Sequence, residues 1–576
     1  MLPNGAAVAL CARLIYDGFI DYNRRFAAIT ARAARRFEQR DWKGQFHDIA
    51  ERVELYEQSV SAVHRDMTRQ VTADLCDTDF WAATRDYVGS RLEGVPDAGF
   101  MKTFFNSITR RHRHTVGVNP ALEFAAAPPD EGMETLESLS MRRYPCWGDV
   151  RYSLQQVLSN FALRAPYRDS EADAAWMYER LQADVQGPSE SGFECIRFEF
   201  IDSHFYQGAR AYLVGRVIHS GHRISPIVIA LANGDEGIYV DTVLVQEEAI
   251  STIFSYTRSY YFADPTSVVA AVQFLHSILP QKPIDELYTV LGRLRQGKTE
   301  RYRNFMNHLQ RTDDLFEQAE GDVGLVMLVF TLPSFNLVFK IIRDRFGYPK
   351  RTTRAEVIAK YRLVSRHDHA GRLIDTQQFN NLKLPVRRFA PALLDDLLSH
   401  AASTVSVQGG DVIMQHVYIE RRVRPLNLFI RESDPQSAEE AILDYGQAIK
   451  DLAETNIFPG DLLLKNFGLT SSRRVVFYDY DEVALVSDCR FRDLPEADDD
   501  YELQDIGVTR FVDEYDIFPE EFMRFLAMDA PLRQEFLRVH GDLLTADYWR
   551  SVKRQRLRGC IEPVVPYRRR AVPHAG

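Results

Sequence analysis

At 576 residues the chain exceeds what one hydrophobic core usually serves, so two or more domains are expected. A hydrophobic content of 45% and a charged content of 26% are those of a globular protein, and a net charge of -11, from 70 basic and 81 acidic residues, argues against bulk nucleic-acid binding. The longest strongly apolar run, Val323 to Pro333, falls well short of the roughly 20 residues that span a bilayer. Met1 to Leu14 holds a short apolar run with no basic segment before it, which speaks against a secretory signal. A cytoplasmic protein is expected, with neither nucleic acid nor membrane as a partner. Six scattered cysteines (Cys11, Cys76, Cys146, Cys195, Cys489 and Cys560) form no CxxC pair, so reduced structural thiols are expected and a zinc site is not.

Residues 6 to about 185 read as mainly helical. Ile20, Phe26, Ile29 and Phe37 recur at near-helical spacing among Arg and Glu, with breakers at Gly94-Val-Pro96, Asn119-Pro120 and Pro128-Pro129. The period then changes. Cys195 to Ile201 alternates, as do parts of 211–219, 227–232 and 238–245, with turn signals at Ser220-Gly221 and Asn233-Gly234. These predict an antiparallel meander of about four strands. Helical pattern resumes from Glu247 to about Gln310. The polar run Arg311-Thr-Asp-Asp314 leads into new strands, placing a first domain over 1–315 and a second over 316–576. The fold class is α+β. The acidic cluster Glu496 to Asp500 and the basic tail Tyr567 to Arg570 read most simply as solvated surface.

The second domain opens with Glu320-Gly-Asp-Val-Gly324, then apolar runs over 325–332 and 335–342. Glycines let backbone N–H groups approach phosphates without a Cβ in the way. Lys340 lies inside Val338-Phe-Lys-Ile-Ile342, where an ammonium is expensive to bury without an anionic partner. Nucleotide phosphates would supply one; a Lys at the sheet edge snorkelling to water is the plainer alternative. A helix is expected from about Arg354 to Val364, followed by Arg366 to Asp375, a run dense in ionisable groups. Val417 to Arg422 reads as a hinge, with backbone near 418–421 offered to an adenine edge. A helix from about Ser437 to Glu454 leads to Asp461, with Asn466 five residues on and Asp479 at the end of the apolar run Val475 to Tyr478. An Asp on a loop after a helix, an Asn at that spacing and a strand-end Asp are how protein kinases arrange a base and two Mg²⁺ ligands.

Four features depart from the usual kinase pattern. The glycine turn is short. Pro459-Gly460 stands where His-Arg is common. Leu463 rather than Lys follows Asp461 by two, although Lys465 lies nearby. Asp479-Tyr480-Asp481 replaces Asp-Phe-Gly. Val475 to Val483 also fits the strand-Asp-x-Asp pattern of haloacid-dehalogenase phosphatases, but too few residues follow to complete that fold, and Lys340 and Asp461 would go unexplained.

Gly324 to Pro333, His367-Asp368 through Gln377, Tyr418 to Arg422, Asn456 to Gly468 and Val475 to Glu482 are similar to segments of the isocitrate dehydrogenase kinase/phosphatase family, as are Phe104-Phe-Asn-Ser107 and Ala211 to Gly215. The resemblance implies an N-terminal regulatory domain and a C-terminal bilobal protein-kinase-like domain. It implies one ATP/ADP cleft that phosphorylates and dephosphorylates a serine on isocitrate dehydrogenase, setting flux between the tricarboxylic acid cycle and the glyoxylate bypass. By position, Ala319, Glu320, Gly321, Asp322, Val323, Gly324 and Leu325 resemble the family's ATP loop and Lys340 its nucleotide-binding lysine. Asp461 resembles the kinase base, Asn466 and Asp479 the Mg²⁺ ligands (Mn²⁺ being an alternative), and Asp375 the acid of the phosphatase reaction. AMP is implied as an effector. A homodimer, a nucleotide-binding pseudokinase and a kinase of another substrate stay open, as does a substrate-docking surface around 489–520.

Overall fold

The computed structural model describes residues 5–92, 94–124, 136–146, 148–184, 195–255, 261–348, 350, 352–367, 370–494, 516–526, 528–558 and 564–570. The chain forms two compact units, 1–312 together with 565–576, and 313–564.

The first unit is built from helices around one sheet. Long helices run over Gly5–Glu38 and Trp42–Gln70, followed by Thr78–Gly89 and Ala98–His112. The sheet has five antiparallel strands in sequential order: β1 (Met141–Pro145), β2 (Arg197–Gln207), β3 (Arg210–Ile218), β4 (Ile224–Gly234) and β5 (Gly237–Leu244). Side chains alternate across a strand. Leu213, Val217, Ile227 and Ile229 therefore face the long N-terminal helices, whereas Tyr212, Val214, Val228 and Ala230 face a second core with helices Val268–Ile278 and Ile284–Val290. Burial on both faces is why 227–232 carries an almost unbroken apolar run.

The meander has one strand more than the sequence predicts. β1 is a five-residue edge strand rich in Arg, paired only to β2, and lies in a region read as helical. That pairing also overturns the expectation of reduced thiols. Cys146 follows β1 and Cys195 precedes β2; with Pro145 opposite Arg197 in the ladder, the two cysteines are 5.8 Å apart at Cα and form a disulfide. Cys11, Cys76 and Cys489 are free.

The basic tail is not simply solvated. The Tyr567 hydroxyl donates to Asp241 Oδ2 at 3.1 Å, beside the Arg210 Nε that donates to the same oxygen at 2.7 Å. Arg570 donates from its backbone N to the Asp241 carbonyl and from Nη1 to Asp173 Oδ1 at 2.6 Å, with its guanidinium over the Trp176 ring. Asp241 and Asp173 are buried, and buried carboxylates need such partners. The cluster Glu496 to Asp500 lies outside the described residues.

The second unit carries a sheet of β6 (Glu317–Gln318), β7 (Met327–Thr331), β8 (Leu337–Ile342), β9 (Gln377–Pro385), β10 (Val405–Gln408) and β11 (Asp411–Arg421), in the order β10-β11-β8-β7-β6 with β9 also on β11. The helix Arg354–His367 follows β8. Beyond β11 the unit is mainly helical, with Pro435–Glu454, Ala530–His540 and Ala546–Leu557 enclosing Trp549 in one core. Asp434 caps Pro435–Glu454 by accepting from Ser437 N at 3.0 Å, with Pro at its first position. Its buried positions Ala438, Ala441, Ile442, Tyr445, Ala448, Ile449 and Leu452 follow helical spacing.

Arg372 ties these parts together. It is 2% exposed and donates from Nε to Asp451 Oδ2 (2.7 Å), from both terminal nitrogens to Asp444 (2.8 and 2.7 Å), and to the Val475 carbonyl (2.9 Å). Burial acts to raise the Asp444 pKa, yet Arg372 holds that carboxyl below its ordinary value. Arg372→Met is expected to lower the unfolding free energy of this unit by about 3–5 kcal/mol, because Asp444 loses its paired cation and Asp451 keeps only Arg474, at 3.9 Å. A chemical-denaturation shift worth under about 1 kcal/mol would show that water replaces the guanidinium without loss.

Candidate active site

A cleft of about 1390 Å³ opens in the second unit. Its walls carry residues 319–325, Lys340, Asp461, Asn466 and Asp479, so all but one of the residues singled out in the sequence line one cavity.

The glycine-bearing turn precedes β7. Gly321 has φ +111°, a conformation that residues with a Cβ rarely adopt. Lys340 lies on β8 between Val329 of β7 and Tyr418 of β11. Its neighbour Phe339 points to the opposite face, into the ring cluster of Phe316, Phe330 and Phe389. Lys340 Nζ lies 2.7 Å from Glu420 Oε2 and donates to the Tyr478 carbonyl at 2.7 Å. Glu420 also accepts from Thr376 Oγ1 at 2.6 Å. Lys340 is therefore a buried cation with a fixed anion, not an edge lysine. The Glu of the usual kinase Lys–Glu pair comes from the helix after the Lys strand; here it comes from β11. A Glu directly after the apolar run Val417 to Ile419, on the strand that pairs with that of the equally isolated Lys, was the available signal, and it was read only as part of the hinge.

The hinge itself shifts. Residues 418–421 pair with Lys340 to Leu337, and through Ile419 also with β9, so the backbone expected to meet an adenine edge is largely committed to the sheet. The connection contributes Pro425 and Asn427 to the cleft instead.

The loop bearing Asp461 is held from both ends. Asn456, at φ +68°, exchanges side-chain bonds with Ser487, and its carbonyl accepts from Val486 N. The Tyr445 hydroxyl donates to the Leu462 carbonyl at 2.6 Å. Gly460 has φ +82°, and a Cβ there would come 2.5 Å from the Glu482 carbonyl oxygen. That close approach explains Gly460 where Arg is common. Asp461 Oδ1 accepts from Leu463 N at 3.1 Å, and Asn466 Nδ2 donates to the Asp461 carbonyl at 3.3 Å. Burial and the nearby Glu482 carboxylate raise the Asp461 pKa.

Asp479 follows the hairpin of Phe467–Leu469 and Val475–Phe477. Burial and the neighbouring Asp481 carboxylate push it up to about 7. That excess of negative charge is what a divalent cation relieves, and the Asn466 amide oxygen with the Asp479 carboxylate is a hard-oxygen donor pair suited to Mg²⁺ completed by phosphate and water. Among the described residues no group of three or more His, Cys, Asp or Glu could hold a metal ion by itself.

Asp375 is the residue the cleft does not include. It is 7% exposed, and its Oδ2 accepts from Gln377 Nε2 at 2.9 Å. Its segment is stitched to the strand before Asp479: Phe477 N donates to the Arg372 carbonyl, Ile374 N to the Phe477 carbonyl, and the Tyr480 hydroxyl to the Ile374 carbonyl at 2.8 Å. Asp368, and 495–515 of the suggested docking stretch, lie outside the described residues.

Two family models match the chain: the isocitrate dehydrogenase kinase/phosphatase (AceK) regulatory domain over residues 12–313, and the kinase domain of the same family over 314–569. The chain is 43% identical over 566 residues to an isocitrate dehydrogenase kinase/phosphatase of Anaeromyxobacter sp. (strain Fw109-5), covering 98% of each chain. It is 42% identical over 558 residues to one of Xanthomonas euvesicatoria pv. vesicatoria (strain 85-10), covering 96% of each. With both halves matched, and relatives aligned almost end to end, the chain belongs to the isocitrate dehydrogenase kinase/phosphatase family.

Proposed function

We propose that this chain is an ATP-dependent protein serine kinase and a phosphoprotein phosphatase whose substrate is isocitrate dehydrogenase, and that one nucleotide cleft serves both reactions. The reading is supported by the relatives' names and, above all, by the convergence of the glycine-bearing turn, Lys340, Asp461, Asn466 and Asp479 on one cleft. By switching isocitrate dehydrogenase off and on, such an enzyme sets the balance between the tricarboxylic acid cycle and the glyoxylate bypass. A cytoplasmic location fits this role; no described helix is long and apolar enough to cross a membrane.

In the kinase direction Asp461 accepts the hydrogen bond, and then the proton, of the substrate serine hydroxyl. Its raised pKa makes it a stronger base than an exposed aspartate. Lys340, fixed by Glu420, offers its ammonium to the nucleotide phosphates, and the turn at 319–325 offers backbone N–H groups. Mg²⁺ held by Asn466 and Asp479 would neutralise phosphate charge. Catalysis is then mostly positioning and electrostatics. In reverse, phosphoserine occupies the place of serine, and the phosphoryl leaves either to water or to ADP. AMP as an effector must bind the two states of the enzyme with different affinity.

Asp375→Ala is expected to depress dephosphorylation while sparing phosphorylation, acting through the segment bonded to the strand before Asp479. Equal loss of both activities would make Asp375 a structural residue.

The deciding experiment incubates the protein with Mg²⁺, labelled ATP and isocitrate dehydrogenase, then removes ATP and adds ADP with AMP. Label that appears on the dehydrogenase and then leaves supports both activities. Label that stays leaves a kinase alone. Absence of label with nucleotide bound turns the reading towards a pseudokinase or another substrate.

A further inference from the structure

Four lysines line the cleft, and their partners separate their roles. Lys340 is committed to Glu420 and the Tyr478 carbonyl. Lys465 is 44% exposed and reaches Asp322 of the glycine-bearing turn at 3.4 Å. The position two after Asp461, where kinases commonly place a lysine, is Leu463. Lys360, on the helix Arg354–His367, acts on Glu356. Lys350 is the fourth. It comes from the connection between β8 and the helix Arg354–His367, and nothing in the sequence marked it. Its Nζ lies 3.2 Å from Asp481 Oδ2 and is bonded to the Glu482 carboxylate, with the side chain 19% exposed. Its charge acts on both Asp461 and Asp479. Burial works against this ammonium, and the two carboxylates hold it charged.

A phosphoryl group moving from a nucleotide beside Asp479 to a hydroxyl beside Asp461 must cross the space these carboxylates surround. Four acidic side chains there would repel it unless a cation faced it. We propose that Lys350 is the catalytic residue that binds the phosphoryl group in transit, its ammonium exchanging the Asp481 and Glu482 carboxylates for phosphoryl oxygens. The inference rests on the kinase reading. In the step, the bond from the γ-phosphorus to the β–γ bridging oxygen breaks, the bond to the serine oxygen forms, the serine proton passes to Asp461, and Lys350 stays protonated throughout. A cation so placed acts on the transition state rather than on bound nucleotide.

The test compares binding of ADP alone with binding of ADP plus aluminium fluoride, a planar mimic of the moving phosphoryl, both with Mg²⁺, by titration calorimetry on the full chain. Lys350→Met is expected to weaken the aluminium fluoride complex on the order of 10²-fold, to change ADP affinity by less than about 3-fold, and to be partly rescued by Lys350→Arg. Unchanged affinity for the aluminium fluoride complex overturns the proposal, as does an equal loss for both ligands. If the wild-type protein binds ADP but gains nothing from aluminium fluoride, the kinase reading itself fails. Should Lys350→Met unfold because the buried Asp481 is left uncompensated, the Lys350→Met, Asp481→Asn pair removes that charge and is judged by the same two affinities.

Discussion

Lys340→Met is expected to lower phosphorylation and dephosphorylation together, on the order of 10²-fold or more in each, because both reactions require the nucleotide phosphates to be held. The structure adds a second effect. Lys340 is the only cation placed on Glu420 among the described ion pairs, and Glu420 is 1% exposed, so the substitution strands a buried carboxylate at a cost of about 3–5 kcal/mol. A loss of activity could then come from a loosened sheet rather than from phosphate binding. Lys340→Met with Glu420→Gln separates the two. The double variant is expected to recover thermal stability while both activities stay low. Unchanged rates in both assays would defeat the assignment of Lys340, and recovery of activity along with stability would reduce it to a structural lysine.

Asp461→Ala is expected to reduce serine phosphorylation by roughly 10²- to 10⁴-fold, the span usual for losing a general base, while nucleotide affinity stays close to wild type. The geometry makes the prediction clean. Asp461 is held by one bond from Leu463 N, and Asn466 is tied to its carbonyl rather than to its carboxylate, so truncation leaves the amide proposed to hold Mg²⁺ in place. Full retention of transfer, measured as label on isocitrate dehydrogenase, would exclude the base role.

The parts of this site that the sequence disclosed are those packed into short spacings. Asp461, Asn466 and Asp479 fall within one loop and one hairpin, so their order alone carries the kinase pattern. Lys340 was visible because a lysine inside an apolar strand is anomalous. The partners were not. Glu420 is 80 residues from Lys340, and Lys350 is 132 from Glu482, and only the fold brings each pair together. Arg372 lay in a run read simply as ionisable, with no hint that it was the buried centre of two carboxylates. In the first unit, β1 was invisible because the five residues Met141 to Pro145 are too few, and too mixed, to show a period of their own; its strand character comes from β2. The Cys146–Cys195 disulfide follows from that same pairing and from nothing in the spacing of 49 residues. The tail residues Tyr567 and Arg570 looked solvated because Arg-rich ends usually are; the buried Asp241 and Asp173 lie more than 300 residues upstream.

That docked tail changes what counts as a separable piece of this protein. The first unit is not a contiguous stretch of the gene, since its last residues are encoded after the second unit. The second unit is thus an insert, and exchanging it between relatives requires two crossovers rather than one. A stop codon early in the final coding segment removes Tyr567 from Asp241 and Arg570 from Asp173, leaving Asp241 with Arg210 and Asp173 with the Val240 N–H, and so acts on the N-terminal domain. A label inserted just after Arg570, for the same reason, hangs from the N-terminal domain.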